Sequence, residues 1–445
     1  MSLSELLYVA IGALIIRQVA VLLGILRSRR FLQDSVVSKH VPEQVGDTPV
    51  FYVVIPVLRE AEGLRRAIDH FEALIEAHTA EIIIVTTARE AAEAAHHPNA
   101  GDSVAVAKDL TNSGRAAHLH YPDPQGLKAD QLNFAVASCL SSLSVGAKAE
   151  RTFLVIYDAD SRPPLDSLEQ FTMAIAQNPE SSVFHQSSRF ELREERRRAN
   201  SSVIKWLLRT ICDSGALRAN RFVLGFEIPR LLNRSMLASA FKRWMYSYIY
   251  VHVTGHGLCI RLSLLQELPF PERSPLEDMH YSFLLGSRNS PMVPISSLDS
   301  ADVPESVRIQ FEQLIRWFLG PARFRRYLAD QATQRGWRAR LLAMSAAGIA
   351  VGWMSCSILP IFLMVLLWSG SIVIRALVLV LIVTYALQLF VVDRSIGSDV
   401  SLVRRAARLI ISPVTCTLFG VAGLVGLGFL VLGKSAAGKT ERCQL

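Results

Sequence analysis

Two carboxylates stand one residue apart at the end of an apolar run, Asp158 and Asp160 in FLVIYDADSRP (Phe153–Pro163). Such a pair can hold a divalent cation through hard oxygen donors. A second acidic pair, Glu277-Asp278 in SPLEDMHYSF, offers a carboxylate able to act as a general base. In QLIRWFLGP, Gln313, Arg316 and Trp317 fall at i, i+3 and i+4, so on a helix they share one face. An amide, a fixed guanidinium that pairs bidentately with phosphate, and an indole make a surface for phosphate and sugar. Gly255-His256-Gly257 would let a ligand approach the backbone closely. Each motif also has a plainer explanation. D-x-D can be a solvated turn, Asp278 a helix cap, G-x-G a tight turn, and the Gln-Arg-Trp face an interface helix turned to lipid headgroups.

The elements that must position these residues are legible. Val50–Pro56 (VFYVVIP), Glu81–Val85 (EIIIV) and Thr152–Tyr157 read as buried strands. Between them, Ala61–Ala77 has helical periodicity, with apolar residues at Leu64, Ala67, Phe71, Leu74 and Ile75, and Ala129–Leu143 reads as a helix. Strands alternating with helices predict a doubly wound, mostly parallel α/β sheet. Its ligands lie at the carboxyl ends of the strands, where Asp158 and Asp160 fall. Strand alternation would turn both carboxylates to one face.

The chain has 445 residues, 51% hydrophobic and 19% charged, and its apolar residues crowd the ends. Leu6–Leu26 is apolar and is followed by Arg27, Arg29 and Arg30, the order of a retained anchor with its basic flank in the cytoplasm. Arg17-Gln18 near its middle is expensive in lipid and reads as a snorkelling or bundle-facing pair, or as part of a substrate path. Leu341–Val392, broken at Trp368–Ser371, is long enough for two spans, and Leu409–Leu432 gives a third span or a broken, re-entrant segment. Arginines before Leu341 and at Arg404, Arg405 and Arg408 place both flanks of the intervening hairpin in the cytoplasm. The net charge of +8 gathers at these flanks, which favours membrane lipids and not nucleic acid as the basic residues' partner. Amphipathic stretches near Lys205 and Lys242, VIKWLLRTI and FKRWMYSYIYV, fit helices at a membrane surface or ordinary domain packing. The six scattered cysteines, without C-x-x-C, fit free thiols.

Taken in order, these motifs resemble those of the membrane-bound family-2 glycosyltransferases, the group containing cellulose, chitin and hyaluronan synthases. The resemblance covers roughly Val50–Pro321 and the membrane plan. It implies a GT-A domain over 48–330, including interface helices over about 196–251, between an N-terminal transmembrane helix at 1–30 and a C-terminal membrane region at 341–433. About four transmembrane helices result. IPVLRE, with Pro56 and Glu60, resembles the nucleotide-binding first loop. GLKADQLNFA resembles the segment that sets a lysine, here Lys128, near the diphosphate. Asp158 and Asp160 fall on the D-x-D that holds Mg2+ or Mn2+. Asp278 falls on the catalytic base, and Arg316 on the Q-x-x-R-W arginine beside the phosphates. His256, Glu277, Gln313 and Trp317 fall in the acceptor site.

The implied reaction is inverting, metal-dependent transfer from a nucleotide-diphosphate sugar, a UDP-sugar first, to a glycan or lipid-linked acceptor presented at the cell membrane. A processive synthase working as a homo-oligomer or with an export partner is the alternative. Two departures stand out. The second strand ends Thr86-Thr87-Ala88-Arg89 where the family carries an acid that binds uracil, and no gating segment follows Q-x-x-R-W. A phosphatase of the haloacid-dehalogenase type would need Thr or Val where Arg162 stands. A degenerate membrane scaffold is the reading from a different class.

Overall fold

The structure is a computed structural model that describes residues 2–37, 48–94, 101–142, 149–192, 202–235, 238–304, 306–330, 332–396 and 401–432. Helix α1 (Leu3–Val37) precedes an α/β domain that begins β1 (Val50–Pro56), α2 (Ala61–Ile75), β2 (Ala80–Thr87), α3 (Arg89–Glu93), α4 (Ser103–Asn112) and β3 (Ala117–Tyr121). It continues with α5 (Lys128–Ser142), β4 (Thr152–Ile156), α6 (Ser167–Gln177), β5 (Val183–His185) and β6 (Ser188–Glu191). A helical insertion follows: α7 (Val203–Phe222), a π-helical turn over Val223–Glu227, α8 (Ile228–Arg234) and α9 (Ala240–Tyr246). The domain resumes with β7 (Leu258–Arg261), α10 (Leu262–Glu267), α11 (Glu277–Ser287), β8 (Met292–Pro294), β9 (Asp299–Asp302), α12 (Val307–Ala322) and α13 (Phe324–Ala329). The chain ends in α14 (Trp337–Ser355), α15 (Leu359–Ser369), α16 (Ile372–Ser395) and α17 (Leu402–Val431).

The main sheet has the order β3-β2-β1-β4-β7-β5-β8, with β7 antiparallel to both its neighbours and every other pairing parallel. A small parallel pair, β6-β9, lies apart. The central strands β1 and β4 and the middle of β2 are apolar because both sheet faces are covered there. Val53, Ile55, Phe153 and Val155 face one core with Leu64, Ile68 and Phe71 of α2. Val54, Leu154 and Ile156 face the other, with Leu132 and Val136 of α5. Truncating a fully buried ring such as Phe71 would cost about 3–5 kcal/mol.

Among the described residues three helices, α1, α16 and α17, are long and apolar enough to cross a membrane. The α14–α15 pair, bent by 57°, makes a fourth if it counts as one span. The first half of Leu341–Val392 is therefore a broken element and not a straight span. Pro360, in the first turn of α15, supplies no amide to continue α14. The bend lies against Gly420 of α17, where a Cβ would fall 1.9 Å from Ser357 N. α17 itself runs unbroken through Pro413, so the break foreseen near the C-terminus lies here instead.

α1 crosses the π-helical turn at Gly24, where a Cβ would sit 2.9 Å from the Gly225 carbonyl oxygen. Ser28 Oγ donates to Leu224 O at 2.7 Å across this contact. Gln18 is bundle-facing: its side-chain oxygen accepts from Arg221 of α7 and Gln388 of α16, both at 3.0 Å. The insertion leaves Val203, Ile204, Trp206, Phe241 and Trp244 exposed. The parts of the expected interface segment at 196–201 and 236–237 lie outside the described residues.

Candidate functional site

α5 begins at Lys128, and the polar residues after it clamp the helix to the sheet rim. Asp130 accepts from Leu127 N at 2.7 Å and Arg273 N at 3.1 Å. The Gln131 amide donates to Val57 O and Val85 O, tying together the ends of β1 and β2. Asn133 exchanges two hydrogen bonds with the Phe270 backbone. Lys128 is thereby aimed at the rim. Its Nζ donates to Asp158 Oδ1 at 2.7 Å and Gly255 O at 2.9 Å, and lies 3.5 Å from Glu277 Oε1. Burial works against its charge, but the charges of Asp158 and Glu277 outweigh it and hold the ammonium above its ordinary pKa.

β4 stops at Ile156, and Asp158-Ala159-Asp160 forms a turn closed by Ser161 N on Asp158 O at 2.9 Å. The relation of the two carboxylates is therefore set by a turn, not by strand alternation. Among the described residues no cluster of three or more His, Cys, Asp or Glu side chains could enclose a metal. Two carboxylates, one already shared with Lys128, match the usual Mg2+ arrangement, in which phosphates and water complete the oxygen shell. Asp158 and Asp160 thus fit such an ion.

Asp278 does not cap α11; the cap position is Leu276, without a side-chain bond. Its carboxylate turns to the 252–255 segment, accepting from His252 Nε2 at 3.2 Å and Gly255 N at 3.1 Å. Burial opposes its ionisation, but the His252 hydrogen bond and charge, then Lys128 and the Met279 amide, hold it below the usual carboxylate range. Glu277 goes the other way: burial first, then the Asp278 charge, raise it to about 7 against the pull of Lys128. One acidic pair thus contains a carboxylate kept ionised and another balanced near neutrality.

The glycines around His256 are tightly enclosed, and at Gly257 a side chain has no room. A Cβ on Gly255 would lie 3.1 to 3.3 Å from Glu277, Lys128 and Asp278. Gly257 has φ +66°, and a Cβ there would come 2.4 Å from Gln186 O. Gly257→Ala is expected to destabilise the protein by more than the ~1–2 kcal/mol that a left-handed residue alone costs. A melting temperature within about 1 °C of the parent would contradict this reading.

Two further histidine–carboxylate pairs surround the site. His256 Nδ1 donates to Asp299 Oδ2 at 2.9 Å, while Asp299 Oδ1 accepts from Arg162 N at 2.8 Å. Asp299 thereby links the G-H-G turn to the D-x-D turn. His185 Nε2 donates to Glu227 Oε1 at 3.2 Å, joining β5 to the π-helical turn. Burial keeps His185 below its ordinary pKa, whereas for His256 the Asp299 pair overcomes burial and raises it to about 9. A raised histidine stabilises the fold fully below pH 6.5, and that stability is lost as pH rises through about 9. We expect unfolding free energy to fall by on the order of 2–3 kcal/mol across this window. In His256→Gln this decline should shrink, as read from denaturation at pH 6 and pH 9.5; an identical slope in both proteins would refute the assignment.

The remaining expected residues sit on β1, on the loop before α2 and on α12. Pro56 ends β1, and Glu60 precedes α2 with its amide bonded to Ser103 Oγ at 2.9 Å. The acid expected after β2 is absent from Thr86–Arg89, but the next residue, Glu90, is buried and accepts from Arg59 N and Ser103 N. It fixes the β1–α2 loop, including Arg59 at φ 58°. Gln313, Arg316 and Trp317 are half-buried on one face of α12. The Trp317 ring meets Phe190 of β6 at 5.9 Å, and Ser188, on the same face of that strand, lies 3.3 Å from His256. His252, His185, Glu227, Asp299 and Glu90 were not singled out in the sequence. Only Glu90 carried a local signal, an acid one residue beyond the expected place.

No family model matches the chain, and no curated protein matches it. Among solved structures, it is similar to a mannosyltransferase from Pyrobaculum calidifontis in complex with GDP-mannose and Mn2+. The identity is 16%, the TM-score 0.52, and the match covers 96% of this chain and 100% of that one. A second match is glucosyl-3-phosphoglycerate synthase from Mycobacterium tuberculosis with Mn2+, UDP and phosphoglyceric acid, at 14% identity and TM-score 0.31 over 57% of this chain and 69% of that one. The first likeness supports a mostly parallel GT-A-like α/β fold, to which this chain joins its apolar helices.

Proposed function

We propose that this chain is a membrane-bound, inverting, metal-dependent glycosyltransferase. The observation that carries the reading is the convergence of Lys128, Asp158, Glu277 and Asp278 around the Gly255 backbone at one end of the sheet. A cation and a D-x-D turn for a diphosphate stand beside a carboxylate held ionised for a hydroxyl. The GT-A-like fold supports the same reading, and the mannosyltransferase it resembles binds GDP-mannose and Mn2+.

When bound, Mg2+ or Mn2+ would neutralise the leaving diphosphate, held by Asp158 and Asp160. Lys128 and Arg316 add positive charge to the same phosphates. Asp278 accepts the proton of the acceptor hydroxyl as its oxygen forms the bond to the anomeric carbon. The bond from that carbon to the diphosphate oxygen breaks on the opposite face, and the nucleoside diphosphate leaves as an anion. His252 keeps Asp278 ionised and oriented. Glu277, His256, Gln313 and Trp317 line the acceptor side, and Pro56 and Glu60 the nucleotide side.

The donor is a nucleotide-diphosphate sugar, with UDP-sugars to be tried first and GDP-sugars next. The arginine flanks support a cytoplasmic catalytic domain on a cell membrane. The three or four candidate spans among the described residues leave little room for a sugar-lined channel, since the core of such a bundle is normally filled by side chains. The monomer therefore adds one or a few sugars to a glycan or lipid-linked acceptor, and polymer export would need an oligomer or a partner. Turnover of a nucleotide-sugar panel by purified protein, with mass analysis of products, is the test. No turnover and no Mn2+-dependent nucleotide binding would leave the scaffold reading.

A further inference from the structure

Two groups of arginines stand out on the membrane-proximal helices. Arg404, Arg405 and Arg408 at the start of α17 pair with Asp213 and Asp393. Arg17, Arg218, Arg221 and Arg230 have no carboxylate within ion-pair distance among the described residues. They are gathered nonetheless. The guanidinium carbons of Arg17, Arg221 and Arg230 lie 5.7, 5.8 and 5.5 Å from the centre of the Phe226 ring. Arg221 also lies 4.8 Å from the Tyr385 ring. Arg218, one turn before Arg221 on α7, stands over Phe419 of α17 at 4.4 Å and is bonded to Cys356 Sγ at 3.0 Å. Its Nη1 is buried without a hydrogen-bond partner.

Like charges so collected away from bulk water need an anion. Aromatic faces and neutral acceptors such as Gln18 and Gln388 orient the guanidinium groups without neutralising them. Arg17 lies in the middle of the apolar run of α1, about 15 Å along the helix from Arg27. A ligand reaching it arrives through the lipid between α1, α16 and α17. Guanidinium groups bind phosphate oxygens with directional, paired hydrogen bonds. The cluster also adjoins the catalytic side. Phe226 is followed by Glu227, which turns inward to His185 while Phe226 faces the arginines. The π-helical turn thus presents one residue to each side.

We infer that Arg17, Arg218, Arg221 and Arg230 form a binding site for the phosphate head of an anionic lipid, which enters sideways from the bilayer and is held beside the π-helical turn. On the transferase reading, on which its role rests, this lipid phosphate anchors the acceptor whose hydroxyl reaches Asp278.

The test reads binding and not turnover, so its failure and that of the transferase reading are distinguishable. Full-length protein is placed in nanodiscs containing phosphatidylcholine with or without phosphatidic acid, and retained lipid is measured by native mass spectrometry. The wild type should retain phosphatidic acid at least about 10-fold over phosphatidylcholine. Arg17→Gln with Arg218→Gln should abolish that preference. Arg375→Gln, at the far end of α16, should keep it. An unchanged melting temperature and unchanged monodispersity of the double variant show that it is folded. Equal retention of both lipids by the wild type, or a preference undiminished in the double variant, overturns the site. Inorganic phosphate competing at millimolar concentration as well as phosphatidic acid overturns the lipid as its source.

Discussion

Asp278→Asn is expected to lower kcat by about 10^2–10^4-fold while nucleotide-sugar affinity changes little, because a general base acts on the chemical step. The carboxylate accepts from His252 Nε2 and Gly255 N and is kept below the usual range, so it is ionised at neutral pH. The amide keeps the shape but cannot take a proton. Steady-state rates and donor binding measured on one preparation decide the matter. A variant with near-parental kcat would remove Asp278 from the chemistry. Because α11 takes its cap position at Leu276, a loss confined to stability would not rescue the assignment.

Asp160→Asn is expected to abolish metal-dependent turnover with little change in melting temperature, since Asp160 is a half-buried turn residue. Asp158→Asn should do the same and also disturb Lys128, whose ammonium loses its 2.7 Å partner. Two carboxylates alone hold Mg2+ or Mn2+ weakly, and substrate phosphates complete the shell. The loss should therefore be greatest at limiting Mn2+ and low nucleotide sugar. Turnover titrated against Mn2+ for all three proteins checks this. Undiminished activity in either variant at limiting Mn2+ would end the metal assignment.

The strands and helices that carry the motifs were legible because their signal is local. β1 matches the expected Val50–Pro56 at both ends, and α2 buries Leu64, Ala67, Phe71 and Leu74, four of its five expected apolar positions. What sequence hid is non-local. The antiparallel β7 enters the sheet between β4 and β5 after a long helical insertion, and no periodicity announces such a placement. His185 and Glu227, His252 and Asp278, and His256 and Asp299 are partners across long stretches of chain, so no spacing rule pairs them. A run of apolar residues shows where β4 begins but not that it stops before Asp158. Hydropathy likewise sees the length of α14 and α15 but not the bend between them.

α12 serves two bodies at once. Trp317 meets Phe190 of the α/β domain, while Leu314 and Ile315 pack with Ala422, and a Cβ on Gly426 would come 2.6 Å from Phe318. The partner for that second face is α17, the last described helix of the chain. During synthesis, at roughly 5–20 residues per second, the ribosome must therefore complete α14 to α17 before α12 can be covered. Until then, a newly made domain carries an uncovered apolar helix beside its site. A fragment cut after α13 would carry it permanently, and is expected to be recovered with chaperones or in aggregates instead of as a free enzyme.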